Sequence, residues 1–183
     1  MNNQFRSDYY RMTGRKYNLG IKSIIDFVFS HQIRYMFWLR KACEKPNIFY
    51  RIILHKYSRK YGLEISISAK IGEGLYLGHP YNITVGTGVK IGNNVNLHKG
   101  CTIGRENRGI REGSPIIGDN VYVGINATVI GNIHIGNDVM IAPGSFVNFD
   151  VPDNSIVIGN PGAVHKKENA TKGYVAHRVE VTS

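Results

Sequence analysis

The sequence predicts a mainly β fold, a parallel β-helix of short stacked strands with an α-helical segment in front of it. Three observations lead there. Between residues 65 and 158 an aliphatic residue returns every sixth position, usually followed by Gly: Ile71-Gly72, Leu77-Gly78, Ile83, Ile91-Gly92, Leu97, Ile103-Gly104, Ile117-Gly118, Val123-Gly124, Val129, Ile135-Gly136, Ile141 and Val147. A small or β-branched residue often sits four places on, as at Val95, Cys101, Val121, Ala127, Val139 and Ser145. Gly, Asn and Asp fill the positions between, where a chain that must turn every few residues needs left-handed backbone. A strict period of six is neither the 3.6 of a helix nor the 2 of a lone strand. Repeated strand-plus-turn units produce it, each too small to bury its own apolar side chains until a neighbour stacks on it, with ladders about 4.8 Å apart.

The period has two irregularities. After Ile83 it slips by two residues to Val85-Gly86, which marks an uneven corner just beyond His79. Residues 104–116, Gly-Arg-Glu-Asn-Arg-Gly-Ile-Arg-Glu-Gly-Ser-Pro-Ile, break it altogether. An insertion in a solenoid has to leave the stack as a loop, and such loops commonly carry function. Val151-Pro-Asp-Asn reads as a turn, Ile156–Ile158 as a last short rung, and the polar tail from Lys166 leaves open whether Tyr174-Val-Ala packs.

Ahead of the repeat, residues 20–43 read as one helix with a broad apolar surface, including Ile24, Ile25, Val28, Phe29, Ile33, Met36, Phe37 and Leu39. Pro46 breaks it and suits the first turn of a second helix through Ile48, Phe49, Ile52, Ile53 and Tyr57, with Gly62 as its stop. Residues 1–19 are basic and Tyr-rich, either a loose arm or a short helix. The expected division is a basic helical segment at 1–62, the β-helix at 63–165 with its loop at 104–116, and a tail at 166–183.

The net charge of +10 belongs to the front of the chain. Residues 1–62 hold 13 Lys/Arg against three acids, Asp8, Asp26 and Glu44, whereas residues 63–183 hold ten of each sign. Two readings follow for the helices: a cap on the first coil and on neighbouring subunits, or a surface meeting anionic membrane lipid or an anionic acceptor. No nucleic-acid motif accompanies the charge. Two cysteines, Cys43 and Cys101, make no disulfide framework, and Cys101 falls at an inward position. With neither a signal-peptide layout at Met1–Arg6 nor an apolar run of about 18 residues, the expected location is the cytoplasm, with the inner membrane face as a peripheral alternative.

Within this pattern, Ile71-Gly-Glu-Gly-Leu-Tyr-Leu-Gly-His79, Ile83-Thr-Val-Gly86, Cys101-Thr-Ile-Gly104 and Ile158-Gly-Asn-Pro-Gly-Ala163 resemble the left-handed β-helix of hexapeptide-repeat acetyltransferases, in the serine acetyltransferase branch. The likeness runs from about residue 64 to 167. It implies three hexapeptides per triangular turn and about five coils. It also implies acetyl-CoA as co-substrate, no metal, and a homotrimer with the donor held between subunits.

The resemblance places the general base at His79, where imidazole suits proton transfer near neutral pH. Glu64, fifteen residues earlier, occupies the place of the family's orienting Asp. One turn of the helix puts His98 beside His79, as a substrate contact or a plain corner residue. The positions matching donor contacts are Arg105, Ile125 and Pro143, with Lys167 near the CoA phosphates. On the acceptor side Gly78 replaces an Asp and Gly113-Ser114 replaces Arg-His, while Arg105, Arg108 and Arg111 make the loop basic. Acceptor contacts are therefore expected from Gly78, His98, Arg111 and Ser114. The kept base and altered acceptor positions lead to an expected O-acetyltransferase acting on a carbohydrate hydroxyl in polysaccharide, capsule or O-antigen synthesis. Serine O-acetyltransferase is the alternative.

Overall fold

The computed structural model describes residues 3–180. Among them four helices precede the β-helix: α1 (Asn3–Thr13), α2 (Ile21–Phe29), α3 (His31–Glu44) and α4 (Ile48–Tyr61). The single helix expected over 20–43 is therefore two, broken at Ser30, whose side chain accepts from the Ile33 N–H and starts α3 afresh. Pro46 stands outside α4. Asn47 is its N-cap, accepting from the Tyr50 N–H, and Gly62 closes the helix in a left-handed conformation (φ 66°) as expected.

Five turns of β-helix follow. The first holds β1 (Glu64–Ile65), β2 (Lys70–Ile71) and β3 (Tyr76–Gly78), and the second β4 (Thr84–Val85), β5 (Lys90–Ile91) and β6 (Asn96–His98). The third has β7 (Thr102–Gly104), β8 (Ile116–Ile117) and β9 (Tyr122–Val123), and the fourth β10 (Thr128–Ile130), β11 (His134–Ile135) and β12 (Val139–Ile141). The last has β13 (Phe146–Val147) and β14 (Ser155–Ile158), on which β15 (Ala163–Lys166) folds back antiparallel.

Parallel pairing stacks these into three walls: β1-β4-β7-β10-β13 (wall A), β2-β5-β8-β11 (wall B) and β3-β6-β9-β12-β14 (wall C). Every sixth residue faces the axis, and Leu77, Leu97, Val123, Ile141 and Val157 are wholly buried in line up wall C. Ile83 and Val85, the two sides of the slip, both point inward. The extra residues are taken up by the corner, where His79 (φ 48°) and Asn82 (φ 54°) both turn left-handed.

The corner between walls B and C is held by a side-chain ladder. Asn93 Oδ1 accepts from the Glu73 N–H (2.9 Å), Asp119 from Asn93 (2.6 Å), Asn137 from Asp119 (2.8 Å) and Asp153 from Asn137 (2.7 Å). Each carboxyl or amide satisfies a corner N–H that strand pairing leaves open.

The helices are tied to the first coil by a buried ion pair. Arg40 on α3 donates to both carboxylate oxygens of Asp8 on α1 (2.7 and 3.0 Å) and to the carbonyls of Ile71 and Gly72 (2.9 and 2.6 Å). Asp8 also accepts from the Leu75 N–H at 2.8 Å. The tail packs too: Ala170, Thr171 and Val175 are buried, and Asp138 accepts from the N–H groups of Ala170 and Thr171.

Candidate active site

The corner between walls C and A positions His79. Its neighbours Gly78 and Pro80 are buried, so the chain is anchored on both sides of an exposed imidazole. A left-handed φ is uncommon for a residue with a side chain, although His tolerates it better than most. It turns the ring out of an otherwise regular prism. The start of α3 supports the corner: Gln32 donates to the Leu77 carbonyl, and His31 stacks on Tyr61 (4.3 Å) and lies 5.2 Å from the Tyr81 ring. Burial, and then the charge of Arg34, hold His31 below its usual pKa. Neither His31 nor Gln32 was singled out in the sequence; both belong to an unremarkable helix start, and only the packing of α3 on the first coil brings them here.

The strand register sets His98 opposite Gly78, one coil above, as the turn length predicts. The two histidines are close enough for the charge of His79 to depress the pKa of His98, after burial, which is the larger cause. His98 Nε2 is buried without a hydrogen-bond partner. The ring lies 4.6 Å from that of Tyr122 and borders a cavity of about 370 Å³, lined also by Arg11, Tyr76, Asn96 and Tyr174.

Above His79 the same edge carries one residue per coil. The Lys99 N–H donates to the Gly78 carbonyl (2.9 Å), Asn126 to Lys99 (3.0 Å) and Gly144 to Ile125 (2.8 Å). Ile125 and its neighbour one coil up, Pro143, are exposed. His79, Ile125 and Pro143 thus share an edge long enough to lie beside an extended chain. Lys167 is a coil higher but across wall C, at the edge between walls B and C: its N–H donates to the Asn154 carbonyl (2.7 Å), and it borders a cavity of about 620 Å³ with Met140, Ile156 and Ile158.

The remaining predicted residues are elsewhere. Residues 104–116 form a small hairpin closed by reciprocal backbone bonds between Glu106 and Gly113 (2.9 and 3.0 Å), with Ile110 fully exposed at the tip. It leaves the prism at the edge between walls A and B, so wall A separates Arg105, Arg111 and Ser114 from His79. Arg105 pairs with Glu112 (3.1 Å), the Arg111 carbonyl accepts from the Asn132 N–H (2.9 Å), and Ser114 Oγ donates to the Thr87 carbonyl (2.8 Å). Glu64 borders a cleft on wall A with His55, Ser58, Ser66, Thr84 and Thr87. Among the described residues no hydrogen bond or ion pair joins it to His79.

Fold and edge define the class, a hexapeptide-repeat β-helix protein, and comparison with known proteins agrees. The family model for the bacterial transferase hexapeptide (six repeats) matches residues 114–148. The chain is similar to serine acetyltransferase 2 of Arabidopsis thaliana, 35% identical over 133 residues, covering 67% of this chain and 41% of that protein. Among solved structures it is similar to serine acetyltransferase from Brucella abortus in complex with coenzyme A (TM-score 0.76, 25% identity, 90% of this chain and 67% of that one). It is also similar to Neisseria gonorrhoeae serine acetyltransferase in complex with serine (TM-score 0.73, 26% identity, 87% and 67%). The chain spans three tenths to about half of the length of the curated relatives it matches. The chain carries the hexapeptide repeat, and over its β-helix it resembles serine acetyltransferases.

These relatives overturn the expected carbohydrate acceptor, and local packing explains how the expectation arose. It rested on a kept His79, a basic helical front and three altered acceptor positions, Gly78, Gly113 and Ser114. A Cβ built on Gly78 comes within 2.4 Å of the His98 ring, and one on Gly113 within 2.8 Å of the Asn132 Cβ. Ser114 is engaged with the Thr87 carbonyl. All three residues answer to neighbours inside the chain, so their identity does not report a sugar.

Proposed function

We propose that this protein transfers the acetyl group of acetyl-CoA to the hydroxyl of L-serine, with His79 as general base. The observation that carries the reading is the edge itself: an outward His79 with exposed Ile125 and Pro143 in line above it, in a chain similar to serine acetyltransferases solved with coenzyme A and with serine. The neutral His79 imidazole removes the hydroxyl proton as the serine oxygen attacks the thioester carbon. The tetrahedral intermediate then collapses with cleavage of the C–S bond. The departing thiolate takes the proton back from the imidazolium, leaving O-acetylserine and CoA. Ile125 and Pro143 flank the pantetheine arm, and Lys167 lies toward the phosphates.

The hairpin with Arg105, Arg111 and Ser114 stands on a different edge. A closed threefold assembly, in which the loop of one copy meets the His79 edge of the next, supplies what one chain lacks. The assay is CoA release from acetyl-CoA with L-serine. His79→Ala should lower kcat by about 10²–10⁴, with the fold kept. A parent protein that does not turn over serine, or a His79→Ala variant as fast as the parent, overturns the reading. Light scattering should give three times the 20.5 kDa chain mass.

A further inference from the structure

α2 is packed inside out. Ile21, Ile24, Ile25, Val28 and Phe29 are 49–81% exposed, and the one buried residue of the helix is Ser23, whose hydroxyl lies 3.2 Å from the Tyr9 hydroxyl. The four aliphatic residues recur at helical spacing, so they form one outward stripe. α4 begins in the same way, with Ile48 (71%), Phe49 (59%) and Ile52 (50%) outward. The two surfaces are bridged across α3 by the half-buried rings of Phe27, Phe37 and Trp38 in edge-to-face contact: Phe27 to Phe37 (5.4 Å), Phe37 to Trp38 (5.0 Å) and Trp38 to Phe49 (6.2 Å). An exposed apolar surface spread over two helices and bridged by aromatics marks an interaction site, because monomeric soluble proteins rarely leave one open.

The charge around it identifies the occupant. All three acids of residues 1–62 are engaged: Asp8 with Arg40, Asp26 with Arg15 and Glu44 with Lys41. Lys16, Lys22, Lys45, Arg51, Lys56 and Lys60 are exposed, with no carboxylate partner among the described residues. On α4, Lys56 and Arg59 continue the line begun by Ile48 and Ile52, so the apolar stripe passes into a basic one. A second copy would oppose this cationic surface with its own, and the repulsion works against that pairing. An anionic bilayer complements both halves, taking the apolar side chains among its acyl chains and meeting the Lys and Arg heads with its phosphates. No helix among the described residues is long and apolar enough to cross a membrane, which accords with helices that lie on one.

We propose that α2 and the first half of α4 form a peripheral membrane face that docks the protein on anionic lipid. The proposal does not rest on the acetyl-transfer reading, since neither helix carries His79, Ile125 or Pro143. The test is sedimentation of the full chain with vesicles of phosphatidylcholine, alone and mixed with phosphatidylglycerol. Binding to the mixed vesicles should exceed binding to the neutral ones by about tenfold or more, and fall as salt is raised. Ile25→Asp with Phe29→Asp should abolish it through the apolar half. Lys22→Glu with Arg51→Glu should abolish it through the basic half, in a variant whose core is untouched. Both should keep the parental melting temperature, light-scattering mass and rate of CoA release. No binding to mixed vesicles, or equal binding to both kinds, overturns the proposal. So does a parent assembly that Ile25→Asp/Phe29→Asp splits into smaller ones, which assigns the face to a second copy.

Discussion

The His98 ring lies directly over Gly78, so close that a Cβ on residue 78 would stand 2.4 Å from both Cε1 and Nδ1. The two residues are therefore one unit across neighbouring coils. Gly78→Ala should destabilise the fold by about 1–3 kcal/mol when His98 is present. With His98→Ala the ring atoms nearest to the added methyl are gone, and the cost should largely vanish. Urea denaturation of the two single variants and the double variant measures this coupling. Equal costs of Gly78→Ala in both backgrounds would show that the ring and the glycine are independent.

His98 should also make stability depend on pH. Burial first, and then the His79 charge, lower its pKa from the ordinary 6.5. The unfolded chain therefore takes up the proton before the folded one does. The contribution is intact above pH about 6.5 and is lost as the pH falls toward the lower folded value. His31 is shifted in the same direction, so removing His98 takes away only its own share. The melting temperature of His98→Leu should fall less steeply than that of the parent between neutral and mildly acid pH.

The pair of Asp8 and Arg40 is buried at both ends, with side chains 0% and 3% exposed. Arg40→Met leaves a carboxylate inside the protein with only the Leu75 N–H to face it. Loss of one partner from such a pair costs about 3–5 kcal/mol. The denaturation midpoint should shift accordingly, with the largest loss of hydrogen-exchange protection where α1 and α3 meet the first coil.

Cys101 is buried in the prism, and burial pushes its thiol pKa up to about 12. A thiol so seldom ionised and so enclosed should not react with iodoacetamide in the native protein at neutral pH. Mass spectrometry of tryptic peptides should find Cys101 alkylated only after denaturant is added. Modification at the native rate of an exposed thiol would mean the third coil opens readily.

Much of the fold was legible because it is a local repeat. The six-residue period, the two-residue slip after Ile83, the inward Cys101 and the Gly62 stop each depend on residues a few positions apart. His79 was legible as the residue at the irregular corner, and His98 followed from the length of one turn. The helical front was less so. An apolar run over 20–43 reads as one helix because periodicity does not register a single capping serine at Ser30. Nor does it tell which apolar residues face protein, and α2 turns almost all of its own outward. The acceptor expectation failed for a related reason: a glycine in a motif was given a chemical meaning, although a ring from the next coil dictated it.

The residues alone determined the coil, because each rung repeats the same inward side chain and the same turn, and stacking is the one way to bury them. Tertiary structure decided what stands beside what along and across the prism. It set His98 over Gly78, aligned His79 with Ile125 and Pro143 on one edge, put the Arg105 loop and Ser114 on another, and clamped the helices to the first coil through Asp8 and Arg40. Those relationships join residues a whole turn or more apart. They depend on register and on the lie of the helices, which no short stretch of sequence contains.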